Sequence, residues 1–358
     1  MSGSEFQTHL EELRTVVETA LKAEMRRAEW PGSLRLAVEY SLMAGGKRLR
    51  PVLVLLANEI CGGKREEAIA AACAIEMVHT YSLIHDDLPS MDDDDFRRGR
   101  PTSHKVFGEA LAILAGDCLL TQAFETLSSA GIDSDRLAEL VRILAVAAGG
   151  GGMVGGQVLD LEAERGTFGK ADSGPPKADG PEKASWIETP DAVGVESGTG
   201  AHVTVDSAGT RAGPKSQSKN SEPNDSNRSA ETRVEELSRI HKMKTGALIA
   251  AALELGAISA AADQENRNRL RHYGHCIGLA FQIADDLLDV TGNKTRLGKT
   301  PGRDADLGKL TYPGLLGIEP SRARAQQLVQ DACGAVDGFG ERSSWLKELA
   351  RFIVERDH

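Results

Sequence analysis

Leu279-Ala280-Phe281-Gln282-Ile283-Ala284-Asp285-Asp286-Leu287-Leu288-Asp289 is the stretch on which the reading of the fold turns. On a helix each residue turns ~100°, so Asp285 and Asp289 lie ~40° apart with Asp286 beside them, while Leu287 and Leu288 point elsewhere. The residues around the acids are largely apolar, so the helix is mostly buried and a solvated acidic face is the weaker reading. Like charges that close repel, and each is relieved by a proton or a counter-cation. A hard divalent ion with oxygen ligands supplies that relief, and magnesium is the one that also takes phosphate oxygens.

Outward from this helix, apolar residues recur at three- and four-residue steps over most of the chain. The pattern predicts helices over Glu5–Glu29, Leu34–Met43, Val52–Ile60, Glu66–His85, Lys105–Leu127, Asp135–Ala147, Gly152–Arg165, Val234–Ala262, Asn266–Val290, Ser321–Val336 and Ser343–Glu355. The first half shows no convincing alternating strand. Aromatic residues are only 4%, with Ala, Leu and Gly dominating the apolar share, which favours helices over sandwiches and barrels. The fold class is therefore all-α. Residues 167–232 are rich in Gly, Ser, Pro, Asp and Lys, too poor in large apolar side chains to offset the entropy of ordering. This segment reads as a low-complexity, disordered insertion between residues 1–166 and 233–358 of one domain, with Trp186 its single large anchor.

Lys and Arg number 42 against 53 Asp and Glu, a net charge of −11, which argues against a nucleic-acid partner. The five cysteines have no paired spacing, so neither a disulfide framework nor a zinc ribbon is expected. The first residues are polar and acidic, unlike a signal peptide. No membrane span is expected, Gly246–Ala262 being the nearest candidate and interrupted by Glu254. These features suit a cytoplasmic chain.

A second acidic run, His85-Asp86-Asp87-Leu88-Pro89-Ser90-Met91-Asp92-Asp93-Asp94-Asp95, follows a helix rich in Ala, Ile and Met. Asp92 lies ~240° from Asp86 on an ideal helix, so a regular helix keeps them apart. Pro89 has no N–H for the His85 carbonyl, which loosens the helix and lets the chain return Asp92 toward Asp86 and Asp87. The run lacks the spacing and glycine of an EF-hand. Arg97-Arg98-Gly99-Arg100 follows at once, either pairing with the acids or offering guanidinium forks to phosphate. Gly45-Gly46-Lys47-Arg48-Leu49-Arg50-Pro51 opens a helix whose N–H groups favour anions, without the spacing of a Walker loop. Two acid clusters and several basic ones suit a substrate pair with two polyanionic heads.

Together these residues resemble the trans-isoprenyl diphosphate synthases, and are nearest to bacterial farnesyl diphosphate synthases. The resemblance rests on Asp86-Asp87 with Asp92 and Arg97-Arg98-Gly99, on Asp285-Asp286-Leu287-Leu288-Asp289, and on Gly46-Lys47-Arg48-Leu49-Arg50-Pro51. It extends to His241-Lys242-Met243-Lys244-Thr245-Gly246-Ala247-Leu248, Phe281-Gln282 and Leu307-Gly308-Lys309-Leu310-Thr311-Tyr312-Pro313. It implies a helical bundle around a deep central cavity, a homodimer, and magnesium, with manganese as a substitute. Asp86, Asp87, Asp92, Asp285, Asp286 and Asp289 are then the metal ligands. Arg97, Lys244 and Lys299 contact the allylic diphosphate, and Lys47, Arg50, His79 and Arg98 bind isopentenyl diphosphate. Lys244, Thr245, Gln282 and Arg97 form the catalytic set, Gln157 and Asp160 support the metals, and Asp304 and Lys309 are supporting or lid residues near the substrates. The implied reaction joins isopentenyl diphosphate to dimethylallyl or geranyl diphosphate, giving farnesyl diphosphate and pyrophosphate.

Tyr81, five residues before Asp86, stands ~7.5 Å farther along the same helix and can act as a floor for the growing chain. A core tyrosine without that role is the plainer reading. Ser82 is small, and His104-Lys105-Val106-Phe107-Gly108-Glu109 is also similar to geranylgeranyl synthases, so a twenty-carbon product is the alternative. A non-catalytic regulatory subunit and a terpene cyclase are further rivals. The intact acids, with Lys47, Arg50 and Lys244, oppose the subunit, and a cyclase has no need of the Lys47 and Arg50 site.

Overall fold

The computed structural model describes residues 3–164, 230–291 and 309–355. The expected insertion lies outside them except for its last three residues, which are helical, and Lys299 and Asp304 also lie outside. The helices are α1 (Gly3–Arg27), α2 (Gly32–Leu42), α3 (Leu49–Ile60), α4 (Arg65–Asp86), α5 (Ser103–Phe107), α6 (Glu109–Ser128), α7 (Ser134–Ala148) and α8 (Met153–Glu164). After the undescribed segment come α9 (Ala230–His241), a π-helical turn (Lys242–Gly246), α10 (Ala247–Ser259), α11 (Gln264–Thr291), α12 (Tyr312–Leu316), α13 (Ile318–Ala335) and α14 (Ser344–Glu355). The fold is all-α, as the residue pattern predicts.

Two helices form the centre. α10 is buried from Leu248 to Ser259, apolar on every face, and packs on α3, α4, α7 and α11. Its Glu254 is buried within reach of Arg267 (3.5 Å) and Arg271 (3.6 Å) of α11, which is why a charge is tolerated there. α4 packs on α3 and α6 and buries Ala68, Ala71, Ala72, Ala74, Ile75, Met77 and Val78. Its alanine-rich face lets neighbouring helices approach closely, so its C-terminal end, where the first acidic run begins, is held from several sides. All described residues belong to one compact unit.

Three expectations need correction. The helix expected over Lys105–Leu127 is two helices, because Gly108 at φ 83° breaks the chain between α5 and α6. The first half does contain strands, a two-residue hairpin of β1 (Phe96–Arg97) and β2 (Arg100–Pro101), too short for any periodicity to register. Three helical segments (Arg65–Asp86, Glu109–Ser128, and Ser134–Glu164 across the α7–α8 turn) are long and apolar enough to cross a membrane by length and composition. The sequence reading expected none. In Arg65–Asp86 that apolarity serves packing, since 67% of its most apolar window is buried inside the bundle.

Candidate active site

The first acidic run begins where α4 runs out of partners. The His85 carbonyl accepts from Leu88 N–H (3.2 Å), a tightened last turn, and Asp92 N–H then donates to the Asp86 carbonyl at 2.8 Å. The chain thus returns Asp92 to Asp86 after Pro89, as the sequence argument expects. The Asp86 carboxylate is half-buried, faces a cavity, and has no hydrogen bond or ion pair to another described residue. Burial pushes its pKa up to about 6, Lys244 pulls it down, and Asp92 raises it again. Asp87 points the other way into the protein, where the Arg97 guanidinium grips it through Nε (2.7 Å) and Nη2 (2.6 Å).

The hairpin sets that guanidinium. Arg98 (φ 54°) and Gly99 (φ 72°) form its two-residue turn, a left-handed pair matched to strand twist. Arg97 is thereby sent toward Asp87, while Arg98 Nη1 donates to the Gly45 carbonyl beside the Gly-Lys-Arg loop.

A bank of cations lies next to it. Arg50 and His79 line the same cavity as Asp86. Arg50 Nε is buried without a hydrogen-bond partner, the donor an incoming anion would satisfy. Burial lowers the Arg50 pKa only to about 10, so it stays charged. Burial, then the neighbouring Arg50, Arg98, Arg97 and Arg48, hold His79 neutral, well below its usual value. Sequence reasoning missed the groups that hold this bank. Arg48, left-handed at φ 49°, is buried and donates to Glu76 (2.7 Å) and to the Leu42 carbonyl (2.7 Å). Glu76 is the buried counter-charge to Arg48, Arg50 and Arg98. Its only signal in sequence is an acid inside an apolar helical stripe.

Lys244 and Thr245 sit in the π turn, where the widened helix brings both to the cavity wall. Gly156 of α8 allows it. A Cβ there would stand 2.2 Å from the Lys244 backbone nitrogen. Lys244 Nζ meets Asp160 at 2.5 Å, and Gln157 lines the cavity nearby. Lys309 Nζ meets Glu164 at 3.1 Å and feels the charge of Asp92 and Asp160.

The second acidic motif lies within α11. Asp285 and Asp289 are half-buried, whereas Asp286 is 4% exposed. Asp286 Oδ2 accepts from Tyr312 N–H (3.0 Å) and Oδ1 from Gln282 Nε2 (3.4 Å). Gln282 Oε1 in turn accepts from the Thr245 hydroxyl at 3.0 Å.

The cavity holds about 560 Å³. Arg50, His79, Asp86, Lys244 and Thr245 meet there, and Tyr81, Ser82, Ile113, Met153, Val158 and Leu161 furnish further wall. Lys47 is not brought to it. It lines a separate small pocket with Phe281 of α11 and Phe352 of α14. Among the described residues no three His, Cys, Asp or Glu form a ready metal cluster. The donor chemistry nonetheless fits a hard divalent ion. Asp86 is a carboxylate whose charge burial disfavours, it faces open space, and Asp92 is folded back beside it.

The polyprenyl synthetase family model matches residues 31–172 and 210–342. Farnesyl diphosphate synthase of Bacillus subtilis (strain 168) is 36% identical over 352 residues, covering 98% of this chain and 97% of that one. The chloroplastic geranylgeranyl pyrophosphate synthase 11 of Arabidopsis thaliana is 39% identical over 359 residues, covering 99% of this chain and 83% of its own length. Among solved structures, an FPP/GFPP synthase from Zymomonas mobilis superposes with a TM-score of 0.71 at 34% identity, covering 99% of this chain and 100% of the other. A cavity lined by Arg50 and Lys244 and headed by the half-buried Asp86, together with these likenesses, leads to one assignment: the chain belongs to the polyprenyl synthetase family and is a prenyltransferase.

Proposed function

We propose that the enzyme condenses isopentenyl diphosphate with dimethylallyl or geranyl diphosphate, with magnesium bound, and that its product is farnesyl diphosphate. The allylic carbon–oxygen bond breaks with its electron pair leaving on diphosphate. The isopentenyl double bond attacks the cation, and one proton leaves, with pyrophosphate the base. Asp86 and Asp92, with Asp285 and Asp289 from α11, are the acids we assign to hold the metal. When bound, magnesium neutralises charge building on the leaving oxygens. Lys244 carries positive charge to the cavity wall beside Asp86, placed before the reaction begins. Arg50, with a buried donor awaiting an acceptor, and neutral His79 suit the second diphosphate. Apolar walls keep water from the cation.

The observation that carries the fifteen-carbon reading is Tyr81. It is 7% exposed, lines the cavity, and sets its ring edge-on to His85 at 5.7 Å, ~1.4 turns below Asp86. A twenty-carbon product is the second reading, favoured by Ser82 in the same wall and by the geranylgeranyl name of the Arabidopsis relative. Incubation with magnesium, geranyl diphosphate and labelled isopentenyl diphosphate, with products sized by chromatography, tests both. A C15 product supports the first reading and C20 the second. Cyclic hydrocarbons point to a cyclase, and no incorporation rejects a synthase. Tyr81→Ala should lengthen the product. We also propose a homodimer. Light scattering should give twice the chain mass, and a monomer would count against it.

A further inference from the structure

The second acidic motif contains three aspartates that periodicity treats alike, yet the structure separates one of them. We infer that Asp286 is a positioning residue, acting through Gln282 on Thr245, and not a metal ligand. This rests on the synthase reading of the same site.

A chain of hydrogen bonds runs from Asp286 through Gln282 to Thr245. Tyr312 N–H and Gln282 Nε2 both donate to the Asp286 carboxylate, and the Thr245 hydroxyl donates to Gln282 Oε1. An ionised carboxylate only accepts, so Gln282 must turn its NH₂ toward Asp286 and its carbonyl oxygen toward Thr245. The direction of the amide is therefore set by Asp286. With its proton spent on Gln282, Thr245 presents oxygen lone pairs to the cavity it lines, where positive charge is to develop. A hydroxyl turned the other way would present hydrogen and raise the barrier. Asp286 also ties the start of α12 to α11 through Tyr312, whose hydroxyl lies 2.5 Å from Ser238 Oγ of α9. The carboxylate is nearly inaccessible while Asp285 and Asp289 are half-buried, which divides the labour within one motif.

Asp286→Asn keeps an acceptor for Tyr312 N–H. Its new NH₂ then faces Gln282 and reverses that amide, so the Thr245 hydroxyl becomes an acceptor. The variant should lose roughly 10- to 100-fold in kcat. Its KM for both diphosphates and the magnesium concentration giving half-maximal rate should stay within twofold of the parent. Manganese binding in the presence of inorganic pyrophosphate, read by electron paramagnetic resonance, should be unchanged in Asp286→Asn and weakened in Asp285→Asn. Gln282→Leu, which cuts the chain at its middle, should match Asp286→Asn in both readouts. Thr245→Val should cost the parent a similar factor but add little in the Asp286→Asn background, since both act on one hydroxyl. Weakened manganese binding in Asp286→Asn, or losses that multiply in the double variant, overturns the inference. Absence of activity in the parent protein fails the synthase reading instead, and the manganese measurement still decides whether Asp286 is a ligand.

Discussion

The two aspartate motifs have nearly the same composition and opposite mechanics. The first sits where α4 ends, and its backbone is bent so that Asp92 N–H reaches the Asp86 carbonyl. The second never leaves the regular geometry of α11. In the first, Asp87 and Asp94 are both buried, Asp87 gripped by the Arg97 guanidinium and Asp94 3.8 Å from it, while Asp86 faces the cavity with its charge disfavoured by burial. In the second, the buried acid is Asp286, satisfied by a backbone N–H and an amide. Each motif thus commits at least one carboxylate to the architecture. An acid's role follows from its donors, and counting aspartates does not reveal it.

The sharpest way to break this comparison is to neutralise the equivalent-looking acids separately. Asp86→Asn should lower kcat roughly 10³-fold, because it removes charge placed in advance at the cavity, and it should weaken manganese binding. A loss no larger than that of Asp286→Asn, with manganese binding intact, would erase the distinction. Arg97→Leu tests the architectural acid of the first motif. It strands Asp87 as a buried unpaired charge, and should cost about 3 kcal/mol in urea unfolding. Arg97→Leu combined with Asp87→Leu should recover part of that loss. No recovery would show that the pair does not act as a unit.

The next test addresses the surroundings of the second motif. His241 packs against the Tyr312 ring (5.7 Å) and is buried near Asp160 and Lys244. Burial lowers its pKa from 6.5 to about 4, with Asp160 opposing and Lys244 adding to the shift. The unfolded chain therefore takes up a proton near pH 6.5 that the folded chain refuses. Stability from this group is complete above pH 6.5 and is lost as the pH falls to 4, on the order of 3 kcal/mol in all. Urea unfolding at pH 7.5 and pH 5 should show a larger drop in the parent than in His241→Gln. Equal drops would contradict the assignment. The smallest expected effect is at Gly156, where the added methyl of Ala meets the Lys244 backbone. Gly156→Ala should cost about 2 kcal/mol by overpacking and lower kcat. Unchanged activity would mean that the placement of the π turn is not needed.

Much of this was legible before the structure. The long helices follow from three- and four-residue spacing, and the return of Asp92 follows from the missing N–H of Pro89. What stayed hidden depends on partners distant in sequence or on single backbone angles. Gly108 splits a helix whose side-chain pattern continues across the break. The Phe96–Pro101 hairpin has two residues a strand, fewer than any period needs. Arg48 reads as one more basic residue in a loop, and only its contact with Glu76, 28 positions away, shows it to be structural. The π turn at Lys242–Gly246 keeps its side-chain pattern, and only the close approach of Gly156 betrays it. Asp286 is separated from its neighbours by Tyr312, 26 positions on.

The most direct test of the account is the anomalous scattering of manganese in crystals grown with manganese and pyrophosphate. The account predicts peaks within ligating distance of the Asp86 carboxylate and none on Asp286, whose oxygens still accept from Tyr312 and Gln282. A manganese ion on Asp286, or none at Asp86, would contradict it.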